Sequence, residues 1–156
     1  MTRLAVFIAT FVYAGLFPFA PGTVGSLAGL LVYGLIVGLG GGVAFESVAI
    51  VTLFGLGVWA AAGAERHFGG VDPGPVVIDE VVGMLITLFL VPVSLTGAVM
   101  GLLLFRVFDI FKPFPAGRLE RLHGGFGVMS DDAMAGIYAN FVMRVLWWLA
   151  PDWIVS

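Results

Sequence analysis

Long apolar runs broken by short polar interruptions dominate the chain, and five of them fall at residues 26–45, 47–64, 76–91, 95–111 and 131–150. A helix rising 1.5 Å per residue needs about 20 apolar residues to cross a hydrocarbon core of roughly 30 Å, so these runs predict membrane-spanning helices. A sixth run, residues 4–16, stops after about 13 residues at Phe17-Pro18. That length is short for a span and predicts a re-entrant or interfacial N-terminal helix. No long linker, repeat or low-complexity tract divides the runs. The expectation is an all-α, polytopic membrane helical bundle of about five spanning helices plus the short N-terminal one, forming a single domain over residues 1–156.

Composition sharpens this picture. The 156 residues are 60% apolar and 11% charged, with no cysteine, against about 45–50% and 25% in ordinary soluble domains. The mean hydropathy is +1.10. These figures point to a bilayer protein and exclude a disordered chain, a basic nucleic-acid binder and a disulfide-stapled secreted domain. They also exclude thiol nucleophiles and thiolate metal ligands. The first residues read as retained sequence rather than a cleaved leader, because the small residues near Ala20 run into Pro21-Gly22 and further apolar sequence. Several of the 23 glycines, including Gly25/Gly29, Gly34/Gly38/Gly42 and Gly97/Gly101, fall at the spacing that lets helix backbones approach closely in lipid. The Trp147-Trp148 pair suits the headgroup level where the last long helix leaves the membrane.

Where the few charges sit carries more than their total. With Glu46 at a tight turn, alternation of the spans puts Arg66, Arg106, Lys112, Arg118 and Arg121 on one face, expected to be cytoplasmic by the positive-inside rule. The same face collects Glu65, Asp72, Asp79, Glu80, Asp109, Glu120, Asp131 and Asp132, leaving Glu46 and Asp152 elsewhere. Ionisable groups within the end turns of apolar helices are costly unless paired or solvated, which makes them functional candidates.

Asp79-Glu80 open an apolar helix with Gly83 one turn on, a pair able to share a divalent cation with room for a neighbouring helix or ligand. Compensation of the helix dipole is the plain alternative. Asp131-Asp132 follow Ser130, a candidate N-cap, and Asp132, Gly136, Asn140 and Arg144 recur every four residues as a polar stripe expected to face the bundle interior. Arg106, Asp109 and Lys112 share one helix face, either as a salt-bridged helix end or as an acid for a metal flanked by two cations for an anionic substrate. Two glycine-rich segments remain. Residues 19–26 (Phe-Ala-Pro-Gly-Thr-Val-Gly-Ser) precede a helix, where Thr23, Gly25 and Ser26 suit a phosphate cradle without being a Walker loop. Residues 124–127 (Gly-Gly-Phe-Gly) read as a hinge, an anion contact or a simple turn. His67 and His123 stand alone near the interface.

Carboxylates with Arg and Lys at one membrane face describe a site for Mg²⁺ and a phosphorylated lipid. Absences narrow the chemistry. There is no cysteine for a phosphocysteine, Arg66-His67 is followed by Phe68 rather than glycine, and no Asp-x-Asp is present for an aspartyl phosphate. Metal-activated water with a carboxylate base remains.

Four ordered segments, residues 21–26 (PGTVGS), 77–84 (VIDEVVGM), 105–115 (FRVFDIFKPFP) and 124–136 (GGFGVMSDDAMAG), resemble the motifs of the phosphatidylglycerophosphatase A family. The resemblance spans residues 21 to 136 and implies a helical, membrane-embedded, Mg²⁺-dependent enzyme of the bacterial cytoplasmic membrane. Such an enzyme hydrolyses phosphatidylglycerophosphate to phosphatidylglycerol and phosphate, with its active site on the cytoplasmic face. Carried over by position, Asp79, Glu80, Asp109, Asp131 and Asp132 are the catalytic acids, and Asp79, Glu80, Asp109 and Asp132 the expected metal set. Thr23, Gly25, Ser26, Arg106 and Lys112 are the expected substrate contacts; which acid serves as base stays open. The competing readings are a CDP-alcohol phosphotransferase, whose longer aspartate spacing is missing here, and a divalent-cation channel or carrier, which would need polar groups at the midplane and far side.

Overall fold

A computed structural model describes residues 2–122 and 124–155, and every regular element among them is helical. The long elements are α2 (Pro21–Gly38), α3 (Val43–Phe68), α5 (Leu95–Phe111) and α7 (Gly125–Leu149). The short ones are α1 (Thr2–Ala9), α4 (Ile78–Leu88), α6 (Ala116–Leu119) and α8 (Pro151–Val155), with one 3₁₀ turn at Ala14–Leu16.

α4 is the centre of the bundle. It packs against α2, α3, α5 and α7, and nine of its 11 residues are buried. The glycines explain how a helix is enclosed so tightly. A Cβ on Gly29 of α2 would stand 2.7 Å from Met84 Cβ, and one on Gly136 of α7 would stand 2.5 Å from the Gly83 carbonyl oxygen. Packing is thus the role of Gly83 too, whose missing Cβ would meet the Phe105 ring and come within 3.0 Å of the Asp132 carbonyl oxygen.

Among the described residues two helices, α2 and α3, are long and apolar enough to cross a bilayer, which corrects the expected count of five. The run 76–91 contains only the 11-residue α4, about 16 Å long and too short to span alone. It ends early because the backbone turns left-handed at Leu90, where φ is +58°, ahead of Pro92. The exposed faces remain strongly apolar even so. Leu31 and Leu35 on α2, Val48 and Val51 on α3, Leu103 on α5 and Phe141 on α7 all lie open, more apolar surface than water favours.

Helix starts also differ from expectation. Pro21 takes the first position of α2, the place where its missing N–H costs nothing, so the helix begins five residues before the apolar run. The turn after α2 is Leu39–Gly42, with Gly40 at φ +72°, while Glu46 sits inside the first turn of α3. α7 likewise starts at Gly125, so residues 125–127 are helical rather than a hinge. A Cβ at Gly125 would collide with the Val58 carbonyl of α3. Ser130 is consequently no N-cap; its hydroxyl donates to Phe126 O at 2.5 Å within the helix.

The N-terminal run forms the eight-residue α1, about 12 Å long, followed by a hook in which Phe11, Val12 and Tyr13 all have positive φ. The hook braces the approach to α4: the Val77 N–H donates to Ala9 O at 2.9 Å, and Gly15 lies against the Pro75 carbonyl. The polar stripe of α7 has a structural use at the other end of α4. Asn140 Nδ2 donates to the carbonyls of Thr87 and Phe89 at 3.0 and 2.8 Å. Arg144 donates to Phe89 O at 3.1 Å and to Asn140 Oδ1 at 2.8 Å. These groups satisfy helix-end carbonyls that have no intrahelical partner and so supply no reason for an ion path.

Candidate active site

The fold brings the N-terminus of α4, the second turn of α7, the last turns of α5 and the first turn of α2 to one place. Between them lies a cavity of about 300 Å³ lined by Pro21, Gly22, Asp72, Gly74, Val76, Asp79, Glu80, Arg106, Asp109, Ile110, Lys112 and Asp132. Six of the sequence-predicted residues therefore share one wall. Asp79 and Glu80 come from the first turn of the central helix, so its N-terminal dipole favours their charge. Asp132 comes from α7, held close by the Gly83–Gly136 contact.

At the floor, one carboxylate oxygen each from Asp79, Glu80 and Asp132 falls within a mutual 4.8 Å. Asp79 and Asp132 are 6% and 3% exposed. Three carboxylates this close and this buried repel one another, and burial without partners is costly. Asp79 Oδ1 and Glu80 Oε2 are buried with no hydrogen-bond donor. This all-oxygen, acceptor-only set fits a hard divalent cation.

Two cations flank the acids. Arg106 Nη1 lies 2.7 Å from Asp109 Oδ2 and 3.7 Å from Glu80 Oε1. Lys112 Nζ lies 2.6 Å from Asp131 Oδ2 and 2.9 Å from Glu120 Oε1. Burial opposes the charge on Lys112, but those two hydrogen bonds outweigh it and hold its pKa above the ordinary lysine value. Lys112 reaches both acids because it ends α5 in a left-handed conformation, φ +43°.

The other expected site residues lie elsewhere. Asp131 is on α7 beside Asp132 but turned toward Lys112, off the cavity wall. Because Pro21 starts α2, Thr23, Gly25 and Ser26 are helical residues rather than a loop, and none lines the cavity. The Ser26 hydroxyl is buried and donates to Gly22 O at 2.8 Å. Gly25 is a packing glycine, its missing Cβ facing Val77 Cβ at 2.8 Å and Glu80 Cβ at 3.2 Å. His67 stacks edge-on against Phe68 and lines a separate cavity with Arg3 and Tyr13. His123 lies outside the described residues.

Two further residues on the wall, Gly22 and Asp72, have no individual site role from the sequence. Gly22 has Glu80 and Arg106 where a side chain would be; a Cβ there would collide with Glu80 Oε1 and stand 2.9 Å from Arg106 Nη1. Asp72 sits in the segment before α4 at φ +47°, a conformation uncommon for a residue with a Cβ. Burial, then the negative charge of Asp131, pushes its pKa up to about 6, with Lys112 pulling the other way. The Asp-Pro-Gly sequence at 72–74 is a turn signal, and an acid within it on the charged face was the available hint.

The profile of the family described as Phosphatidylglycerophosphatase A matches residues 7–147. The chain belongs to that family. Two relatives named "Phosphatidylglycerophosphatase A" support the assignment. The Escherichia coli protein is 33% identical over 144 residues, covering 90% of this chain and 80% of its own length. The Haemophilus influenzae protein is 38% identical over 139 residues, covering 87% and 85%. A Bacteroides thetaiotaomicron protein named "Putative phosphatidylinositol-3-phosphatase" is 38% identical over 152 residues, covering 94% and 95%. No solved structure gives a significant match. As a member of the phosphatidylglycerophosphatase A family the chain is a phosphatase.

Proposed function

We propose that this chain hydrolyses phosphatidylglycerophosphate to phosphatidylglycerol and phosphate in the bacterial inner membrane, using Mg²⁺ held by Asp79, Glu80 and Asp132. The observation that carries the reading is the partnerless, buried oxygen pair of Asp79 and Glu80 beside Arg106 in a chain of this family. When bound, Mg²⁺ supplies Lewis-acid stabilisation of phosphoryl charge and a more acidic water. Arg106 binds the phosphate, its guanidinium suited to two oxygens at once, and Asp109 positions Arg106 from 2.7 Å. Lys112 adds a second positive charge at the wall, steadied from behind by Asp131 and Glu120. Asp72 accepts the proton of the attacking water, since a carboxylate with pKa near 6 is ionised at neutral pH yet still basic enough to take it. Water adds to phosphorus, the bond from phosphorus to the glycerol oxygen breaks, and that oxygen takes up the proton held by Asp72 and leaves as the alcohol.

The apolar helices α2 and α3 and the open apolar faces support a membrane location, with the cavity on the charged, cytoplasmic side and with α5 and α7 completing the embedded bundle. The test is phosphate release from phosphatidylglycerophosphate and from phosphatidylinositol 3-phosphate in detergent, with Mg²⁺ and with excess EDTA. The expected result is Mg²⁺-dependent release at least about tenfold faster from phosphatidylglycerophosphate, a margin of about 1.4 kcal/mol in transition-state binding. Faster release from the inositol lipid would reassign the headgroup, and full activity in EDTA would remove the metal from the mechanism.

A further inference from the structure

The cavity holds the phosphate end of a substrate, but a lipid brings acyl chains that stay in the bilayer. We propose that the groove between α2 and α5 is the acyl-chain track through which a lipid phosphate monoester enters the cavity sideways from the membrane. This rests on the lipid reading above and adds the route and the residues that recognise the chains.

Both helices border the cavity. Pro21 and Gly22 of α2 form one lip, and Arg106, Asp109 and Ile110 of α5 form the other. Ile110 lines the cavity and is also 68% exposed, so the polar chamber and the outer apolar surface meet at this side chain. From Ile110 an exposed apolar stripe runs along α5 through Val107, Leu103 and Val99, while α2, packed alongside, exposes Leu27. Leu30 of α2 and Leu102 of α5 are half-buried against the core around Met84, Leu88 and Phe105, which continues the apolar surface between the two helices. Neither α2 nor the part of α5 before Arg106 carries a charged residue.

Polar groups at one end and an uncharged groove at the other reproduce the polarity of the lipid itself. The length agrees as well. From Val99 to Ile110 a helix rises about 16 Å, close to the roughly 15 Å thickness of one leaflet's hydrocarbon. On other sides α3 and α7 pack against α4, and Asp72 and Gly74 line the polar end of the chamber.

The test compares long-chain phosphatidylglycerophosphate in mixed micelles with a water-soluble dihexanoyl analogue. Leu27→Gln and Leu103→Gln are expected to raise KM for the long-chain substrate about tenfold, the loss of roughly one buried aliphatic contact. They should leave kcat unchanged and the dihexanoyl substrate within about twofold. Val51→Gln, also exposed but on α3, should change neither. Since the chain has no cysteine, Leu27→Cys with Leu103→Cys can be joined by a bifunctional maleimide; the linked enzyme should lose the long-chain substrate and keep the short one. Equal losses on both substrates, equal losses in the α3 control, or full long-chain activity after cross-linking would overturn the track. A wild-type enzyme that hydrolyses the dihexanoyl analogue but no long-chain lipid would instead overturn the lipid reading.

Discussion

Asp79→Asn is expected to lower kcat by about three orders of magnitude while leaving the protein folded. The side chain keeps its size but loses the charge that a divalent cation would balance, and a metal contribution of several kcal/mol corresponds to about 10³ in rate. Stability is expected to move the other way in EDTA. Asp79, Glu80 and Asp132 crowd their oxygens within 4.8 Å in a buried place, so removing one charge relieves repulsion. The variant should melt at or above the wild-type temperature without metal, the pattern of a site whose arrangement serves activity at the expense of stability. Retention of activity within tenfold of wild type, measured as phosphate release at saturating lipid, would show that Asp79 is not part of the chemistry.

Gly22→Ala is expected to cost activity far more than stability. Its new Cβ meets only the far ends of two flexible side chains, Glu80 and Arg106, which can move aside at little energetic cost. Moving aside is the damage, however. Displacing the guanidinium and the Glu80 carboxylate proposed to hold the metal by about 1 Å is expected to lower kcat about 100-fold, the usual sensitivity of a positioned site. Gly25→Ala, one turn along the same helix, should behave oppositely. There the Cβ meets Val77 Cβ at 2.8 Å and the Val77 backbone oxygen at 3.0 Å, so α2 must separate from α4. Overpacking of this kind costs about 1–3 kcal/mol. Thermal melts and phosphate-release assays on the two variants separate the effects; equal destabilisation of both would show that Gly22 is merely another packing glycine.

The grouping of charge along the sequence already placed Asp79, Glu80, Arg106, Asp109, Lys112 and Asp132 at one end of a bundle, and the structure brings these six to one cavity. α5 also begins and ends where its apolar run does. What the runs hid were the helix ends that do not depend on lipid. Apolarity marks the part of a helix that faces hydrocarbon or core, whereas helices start where a backbone N–H can be spared, at Pro21, or where bare glycine backbone fits a neighbour, at Gly125. The same distinction explains α4: residues 89–91 remain apolar after its hydrogen bonding has stopped, and Asn140 and Arg144 take up the freed carbonyls. For the same reason Thr23 and Ser26 stand in a helix rather than in a loop, with the Ser26 hydroxyl bonded to the backbone. Asp72 was counted among the acids of the charged face but given no role of its own, because its place depends on a turn and a left-handed backbone rather than on a spacing along one helix face.

The account stands on the trio Asp79, Glu80 and Asp132 holding a divalent cation. The most direct measurement is a titration of detergent-solubilised protein with Mn²⁺ as a probe, reading free Mn²⁺ by electron paramagnetic resonance. Saturable binding that Mg²⁺ displaces is expected for the wild type, with that binding lost in the Asp79→Asn, Asp132→Asn double variant. Unchanged Mn²⁺ binding in a folded double variant would contradict it.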